Sequence, residues 1–503
     1  MDLRISGILL AIVIYLGFML LIGYYYSKKN KNAGDYYLGG RKLGPLVTAM
    51  SAEASDMSGW LLMGLPGVAL AGSIAEASWT AIGLAIGTYV NWLVVAKRLR
   101  RYTEKVNAVT LPEFFHNRYN DKTKLLKTIA ALVIVIFFVP YTASGFAACG
   151  KLFNQIFGID YAWAMIISAI VIVSYTSMGG FSAASFTDFI QSIIMTVALV
   201  AVLCFGIANA GGIGAVIENA KGWEGYFSFT TTASVDGTVG SYNGLTIAST
   251  LAWGLGYFGM PHILLRFMAI NDDSKLKLSR RVASIWVVIS MAVAIIIGII
   301  GYSLELNGVI PVLGDKERII ITVSEVISKH GFIFAFAAGL ILAGILASTM
   351  STADSQLLAA ASGISEDIAK GTLNIKPTEK QTMIIARVTV IIISVIAAIL
   401  ALNPDSQVFR IVSFAWAGFG AAFGPVVLLA LFWKRSNAKG AIAGMIAGGA
   451  MVFIWKFGIA KLGGLFAIYE LLPAFIIALL VNVVVSLLTA PPEKEIVDTY
   501  ESI

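Results

Sequence analysis

Thirteen runs of 17 or more mostly apolar residues divide this sequence, at about 5–26, 44–70, 74–96, 125–157, 161–178, 183–210, 241–269, 281–304, 331–363, 383–402, 406–433, 438–458 and 465–489. About 20 apolar helical residues cross the hydrocarbon layer of a bilayer. Inside that layer each backbone group needs a partner within the protein, which leaves the helix as the natural form of such runs. The runs therefore predict an all-α polytopic membrane protein with about 13 transmembrane helices. Composition agrees, because 58% of the 503 residues are hydrophobic and only 13% charged. Soluble domains carry about 25% charge, so a soluble enzyme, a disordered chain and a disulfide scaffold are excluded. Cys149 and Cys204 both lie within apolar runs. The first run reads as a span and not a cleaved leader, because its basic cluster (Lys28, Lys29, Lys31) follows it instead of preceding it.

A formal charge of +7 invites a nucleic-acid reading, but the distribution of the charge opposes it. Of the 36 Lys and Arg residues, 27 fall in stretches after odd-numbered runs (27–43, 97–127, 266–281, 364–387, 434–439) or in the C-terminal segment 490–503. Basic residues gather on the cytoplasmic side of membrane spans. The expected topology is a multi-pass protein of the cell membrane, with the N-terminus outside and the C-terminus in the cytoplasm. The longest outer loops, near 211–240 and 305–330, hold Glu218, Glu224, Asp236, Asp315 and Glu317. No GxxxxGK[ST] phosphate loop occurs, so ATP-driven transport is not expected.

Polar groups within spans cost about 2.5–3.5 kcal/mol each for a central Asp, so they mark function. The second run, LVTAMSAEASDMSGWLLMGLPGVAL (46–70), gathers Ser51, Glu53, Ser55, Asp56 and Ser58 ahead of Gly59, Gly64, Pro66 and Gly67. A helix unwound around Ala54–Ser58 would free carbonyls for a cation and offer N–H groups to an anion; carboxylates buried in helix packing are the plainer reading. The seventh run, LAWGLGYFGMPHILLRF (251–267), spaces Trp253, Tyr257 and Pro261 as i, i+4, i+8, one helical face. Gly254, Gly256 and Gly259 weaken that helix and would let a solute approach, and Pro261 removes a ladder hydrogen bond. Interruptions five spans apart suit two inverted repeats with a binding site between them; the plainer reading is aromatic packing.

In the ninth run, Ser348, Ser351, Thr352 and Ser355 form an i, i+3, i+4, i+7 hydroxyl stripe beside Asp354. Such a stripe fits an oxygen-lined cation path or close helix packing. Asp188 is a lone carboxylate in the sixth run, either a paired structural ion or a step on a sodium exit route. Arg41 and Lys97–Arg101 read first as topology charges. His116, His262 and His330 lack metal-ligand spacing, GAIAGMIAGGA in the twelfth run reads as helix packing, and no Ser–His–Asp arrangement supports an enzyme.

The stretches DYYLGGRKLGPLVTAMSAEASDMSGWLLMGLPG (35–67), GGFSAASFTDFIQ (179–191), WGLGYFGMPH (253–262) and MSTADSQLL (350–358) resemble the sodium/solute symporter family nearly end to end. The resemblance implies a five-plus-five inverted-repeat core of the leucine-transporter type with spans 2 and 7 broken. Residues 44–210 and 211–433 would form the repeats (the second with its outer loop), and 1–43 and 434–503 the accessory parts. It implies sodium-coupled import of proline, with another amino acid or a carboxylate as the alternative solute and a channel or sensor further off. The main sodium site would use carbonyls of Ala54, Met57 and Ser348 and hydroxyls of Ser351 and Thr352, with Asp56 as the sodium-linked carboxylate. Ser58, Gly59, Trp60, Trp253, Tyr257 and Pro261 would face the solute. Arg41 would assist coupling, and Asp188 and Ser355, with Asp354 beside them, would form a second sodium site or exit route. Proline, sodium and the lipid bilayer are the expected partners, with neither nucleic acid nor an obligate protein partner.

Overall fold

The computed structural model describes residues 3–28, 33–234, 237–373 and 375–503, so Lys29, Lys31 and Asp236 lie outside the described residues. Ten helices among the described residues are long and apolar enough to cross a membrane. The helices used below are α1 (Leu3–Ser27), α2 (Pro45–Asp56), α3 (Leu65–Ala71), α4 (Ala75–Lys105), α5 (Leu125–Phe157), α6 (Tyr161–Asn209) and α7 (Gly244–Leu251). They continue with α8 (Pro261–Ala269), α9 (Leu276–Leu306), α10 (Phe332–Ser362), α11 (Glu379–Leu400), α12 (Val408–Phe432), α13 (Ala438–Phe457) and α14 (Leu471–Leu488).

α10 runs through the centre and packs on α1, α5, α6 and α11; the closing group α12–α14 packs together beside α5. Leu21, Ile285, Ile399 and Leu488 are each more than half exposed on outward faces. A surface this apolar is stable against lipid and costly against water.

Local chemistry moves several boundaries. The third apolar run stops near residue 96, yet α4 continues to Lys105 through AKRLRRYTEK, because long basic side chains are good helix formers. The fifth and sixth runs form one helical stretch, α6, broken at Gly180 (φ 66°, ψ −173°), a conformation open to glycine alone. One departure from an all-α fold occurs among the described residues. Thr231–Ala233 pairs antiparallel with Val239–Ser241, in a β-prone loop between apolar helices, where water can satisfy the strand edges that hydrocarbon would not.

Candidate ion and solute site

The first interruption is shorter than the sequence suggests. Ala54, Ser55 and Asp56 stay helical, and the chain leaves the helix at Met57 (ψ 49°) and Ser58 before a π-wound turn, Trp60–Gly64. In a continuous helix the Ser58 N–H would donate to Ala54 O; here it donates to Asp56 O at 2.9 Å. The Asp56 carbonyl also accepts Trp60 Nε1 (3.2 Å) and the Tyr141 hydroxyl (3.1 Å), so side chains hold the break open.

The carbonyl so released faces α10. Ser351 Oγ donates to Ala54 O at 2.8 Å and to Ser348 O at 3.1 Å, and Thr352 Oγ1 donates to Ser348 O at 3.1 Å. Ser348 contributes its carbonyl, while its own hydroxyl donates to Ile345 O (2.8 Å). All four residues are buried. Four oxygens from two helices thus converge, a donor set that suits a hard cation. Met57, the fifth expected ligand, is fully buried at the break itself.

Asp56 lies one residue before the break. Tyr257 donates its hydroxyl to Asp56 Oδ2 at 2.5 Å, while Oδ1 is buried with no hydrogen-bond partner among the described residues. Glu53, a turn earlier, accepts Thr88 (3.0 Å) and Trp92 (2.9 Å).

The second interruption corrects the sequence reading in two ways. Residues Ala252–Phe258 wind as a 3-10 helix. At three residues per turn, positions four apart are rotated by about 120°, so Trp253, Tyr257 and Pro261 do not share a face through helical repetition. Pro261 instead opens α8 at its first position, where no ladder bond is lost. At this interruption Tyr257 O accepts Asn91 Nδ2 at 3.0 Å, and Trp253 O accepts Trp416 Nε1 at 2.7 Å. The glycines leave no room for a solute. A Cβ on Gly254 would meet Gly83 and Gly87 of α4, one on Gly256 the Trp416 indole, and one on Gly259 the Phe419 carbonyl. Trp253 joins an aromatic group with Trp60 (6.2 Å), Phe409 (5.4 Å), Tyr469 (stacked, 5.2 Å) and Trp416 (6.2 Å). A cavity of about 300 Å³ reaches Trp253 and Tyr469 from the side of Glu76 and Arg410, which form a bidentate ion pair (2.7 and 3.1 Å). Gly59 packs against Ala148, where an added Cβ would lie 3.1 Å away.

The hydroxyl stripe on α10 divides. Ser355 belongs with Asp188 and with a residue the sequence reading had grouped among loop charges, Arg266. Arg266 is 1% exposed and sits on α8. Its Nη2 donates to Asp188 Oδ2 (3.0 Å) and Ser355 Oγ (2.5 Å), and its Nε donates to Ser51 Oγ (3.0 Å). Ser51 in turn donates to Asp188 Oδ2 at 2.6 Å, and Ser355 to Asp354 Oδ1 at 3.2 Å. The guanidinium also lies over the Phe181 ring, 5.0 Å from its centroid. A lone Arg in an apolar run was the signal available in the sequence.

Arg41 is more than a topology charge. At positive φ (55°), its Nη1 donates to Met268 O (2.6 Å) and its Nη2 to Thr103 O (3.1 Å) and Ala108 O (2.7 Å). Beside it, Leu43 N–H donates to Ala269 O (3.1 Å) and Leu43 O accepts Asn271 N–H (2.9 Å), which ties this loop to the end of α8. Burial, with Arg100 nearby, pushes the Arg41 guanidinium down to about 10, so it stays charged at neutral pH.

Comparison with known proteins gives the family. The profile of the sodium:solute symporter family matches residues 36–448. The osmoregulated proline transporter OpuE of Bacillus subtilis is 43% identical over 490 residues, 97% of this chain and 96% of that protein. A sodium/proline symporter of Haemophilus influenzae is 43% identical over 508 residues, 98% of this chain and 97% of that protein. Among solved structures, a Na+-coupled sialic acid symporter in a substrate-bound outward-open state superposes with TM-score 0.80 at 20% identity, covering 97% of this chain and 99% of that one. Mhp1, a nucleobase-cation-symport-1 family transporter, gives TM-score 0.56 at 14% identity over 94% of this chain and 99% of its own. The chain is a membrane protein and belongs to the sodium:solute symporter family.

Proposed function

We propose that this chain imports proline together with sodium across the cell membrane by alternating access. The observation that carries the reading is the oxygen cluster of Ala54, Ser348, Ser351 and Thr352, with Ala54 two residues from Asp56 and its bond to Tyr257. Full-length relatives named as proline transporters supply the solute.

In this reading the two interrupted segments and residues 161–178 join the ten long helices as thirteen crossings, with 44–210 and 211–433 as inverted repeats. The N-terminus lies outside and the C-terminus in the cytoplasm. Sodium binds at the oxygen cluster with Met57 as an additional carbonyl donor, and Asp56 compensates its charge. The proline carboxylate is received at Ser58, Gly59 and Trp60, where a helical segment restarts and its first N–H groups face an anion. Trp253 and Tyr257 wall its ring, and an aromatic face near the ammonium contributes about 0.5–2 kcal/mol. Pro261 fixes the path of the second interruption. Arg41 couples the end of α8 to the loop before α2 and to α4.

The driving force is sufficient. One inward charge at 100 mV supplies about 2.3 kcal/mol, and a tenfold sodium gradient about 1.4 kcal/mol. Together they sustain roughly 500-fold accumulation. The test is labelled proline uptake into proteoliposomes with and without an inward sodium gradient. Accumulation only with the gradient is expected; equal uptake without it would reject sodium coupling. Competition by other amino acids and carboxylates separates proline from a related solute.

Trp253→Ala is expected to weaken proline affinity while leaving sodium binding, followed through thermal stabilisation, much less changed. Equal loss of both would make the ring a packing residue.

A further inference from the structure

The cluster of Asp188, Ser51 and Ser355 has the donors of a hard-cation site: one carboxylate and two hydroxyls, buried, drawn from α2, α6 and α10. It already contains a cation. The Arg266 guanidinium contacts all three residues, at 3.0, 3.0 and 2.5 Å, from a fourth helix, α8. An ion coordinated by the same oxygens would occupy the volume that Nε and Nη2 fill. We propose that Arg266 is the resident cation of this site, so that the protein carries a single sodium per proline and the arginine takes the place of a second. The inference rests on the sodium-coupled reading above.

The geometry favours this over a merely structural pair. A structural pair needs Asp188 and Arg266 alone. Here the same Nη2 that bonds Asp188 also bonds a hydroxyl of the α10 stripe, one turn from the oxygens around Ala54. Removing the guanidinium leaves the Asp188 carboxylate and the Ser51 and Ser355 hydroxyls around its position. That set suits a hard cation, because it brings its own negative charge.

The experiment counts ions. Radioactive sodium bound per protein is measured on purified parent protein, Arg266→Gln and Arg266→Lys, together with the sodium dependence of proline uptake in proteoliposomes. The parent is expected to bind one sodium with a Hill coefficient of about one, and Arg266→Gln to bind two with a coefficient approaching two. Arg266→Lys, which keeps the charge, should stay at one. Two bound sodium ions in the parent would overturn the proposal without any variant. A folded Arg266→Gln protein that still binds one would also overturn it and leave a structural ion pair. If Arg266→Gln fails to fold, the same count on Arg266→Met, which keeps the apolar stem and loses the charge, takes its place, with two ions expected and one overturning the proposal. Absence of sodium-driven proline uptake in the parent would instead defeat the functional reading, while the binding count would still report on Arg266.

Discussion

Removing the hydroxyls of Ser351 and Thr352 together, as Ser351→Ala/Thr352→Ala, is expected to raise the sodium concentration for half-maximal uptake about tenfold or more. Both hydroxyls point at carbonyls that also face the break, Ala54 O and Ser348 O, within 3.1 Å. Losing two ligands to a charged group costs about 1.5–3 kcal/mol, a factor of roughly 10 to 150 in affinity. The loss should fall on sodium, since neither side chain is among those expected to face the solute. Uptake is measured across a sodium titration at saturating proline, on protein shown to insert and fold. An unchanged titration curve would place the main site elsewhere.

The second large effect concerns Asp188. Asp188→Asn leaves the Arg266 guanidinium buried without its counter-charge, and breaking such a pair from one side costs about 3–5 kcal/mol. The double variant Asp188→Asn/Arg266→Gln removes both charges and should melt above Asp188→Asn in sodium-free buffer. A double-mutant comparison of apparent melting temperatures tests this. Simple additivity of the two single changes would mean that the ion pair, for all its 3.0 Å length, contributes no coupling. Asp188→Asn is further expected to slow sodium-driven uptake more than it weakens proline binding at equilibrium. The pair joins α6 to α8, and a link between moving parts governs rate more than affinity.

The helical architecture was legible because apolar runs of bilayer length have few other solutions. The hydroxyl stripe was legible because helical periodicity survives in α10, which stays regular throughout. Where the backbone leaves the α-helix, periodicity stopped being informative. Trp253 and Tyr257 were assigned to one face by an α-helical count that the 3-10 winding of 252–258 does not obey. Arg266 was missed for a different reason. It stands at the end of an apolar run, where a loop charge and a buried one look alike in one dimension. Only the approach of Asp188, 78 positions away in the chain, separates them. Asn91 and Trp416 were likewise invisible, since their side chains donate to main-chain carbonyls of the second interruption, which a one-dimensional pattern does not show. The hairpin at Thr231–Ser241 escaped a search tuned to long apolar runs.

The glycines of the second interruption have a mechanical consequence. Gly254 lies against Gly83 and Gly87 on one side, and Gly256 and Gly259 lie against α12 at Gly420 and Phe419 on the other. At Gly254 and Gly259 main chain meets main chain, and the Trp416 indole lies against Gly256, so few side-chain knobs sit in holes along these seams. Interdigitated helices must lift out of register to move past one another, whereas a smooth seam lets a segment slide or rotate without first unpacking. Residues 252–259 therefore form a bearing between α4 and α12, held by the few hydrogen bonds that Asn91 and Trp416 supply. A bulky side chain at Gly87 or Gly254 would jam that bearing without touching either ion cluster, arresting movement in a carrier whose binding groups were intact.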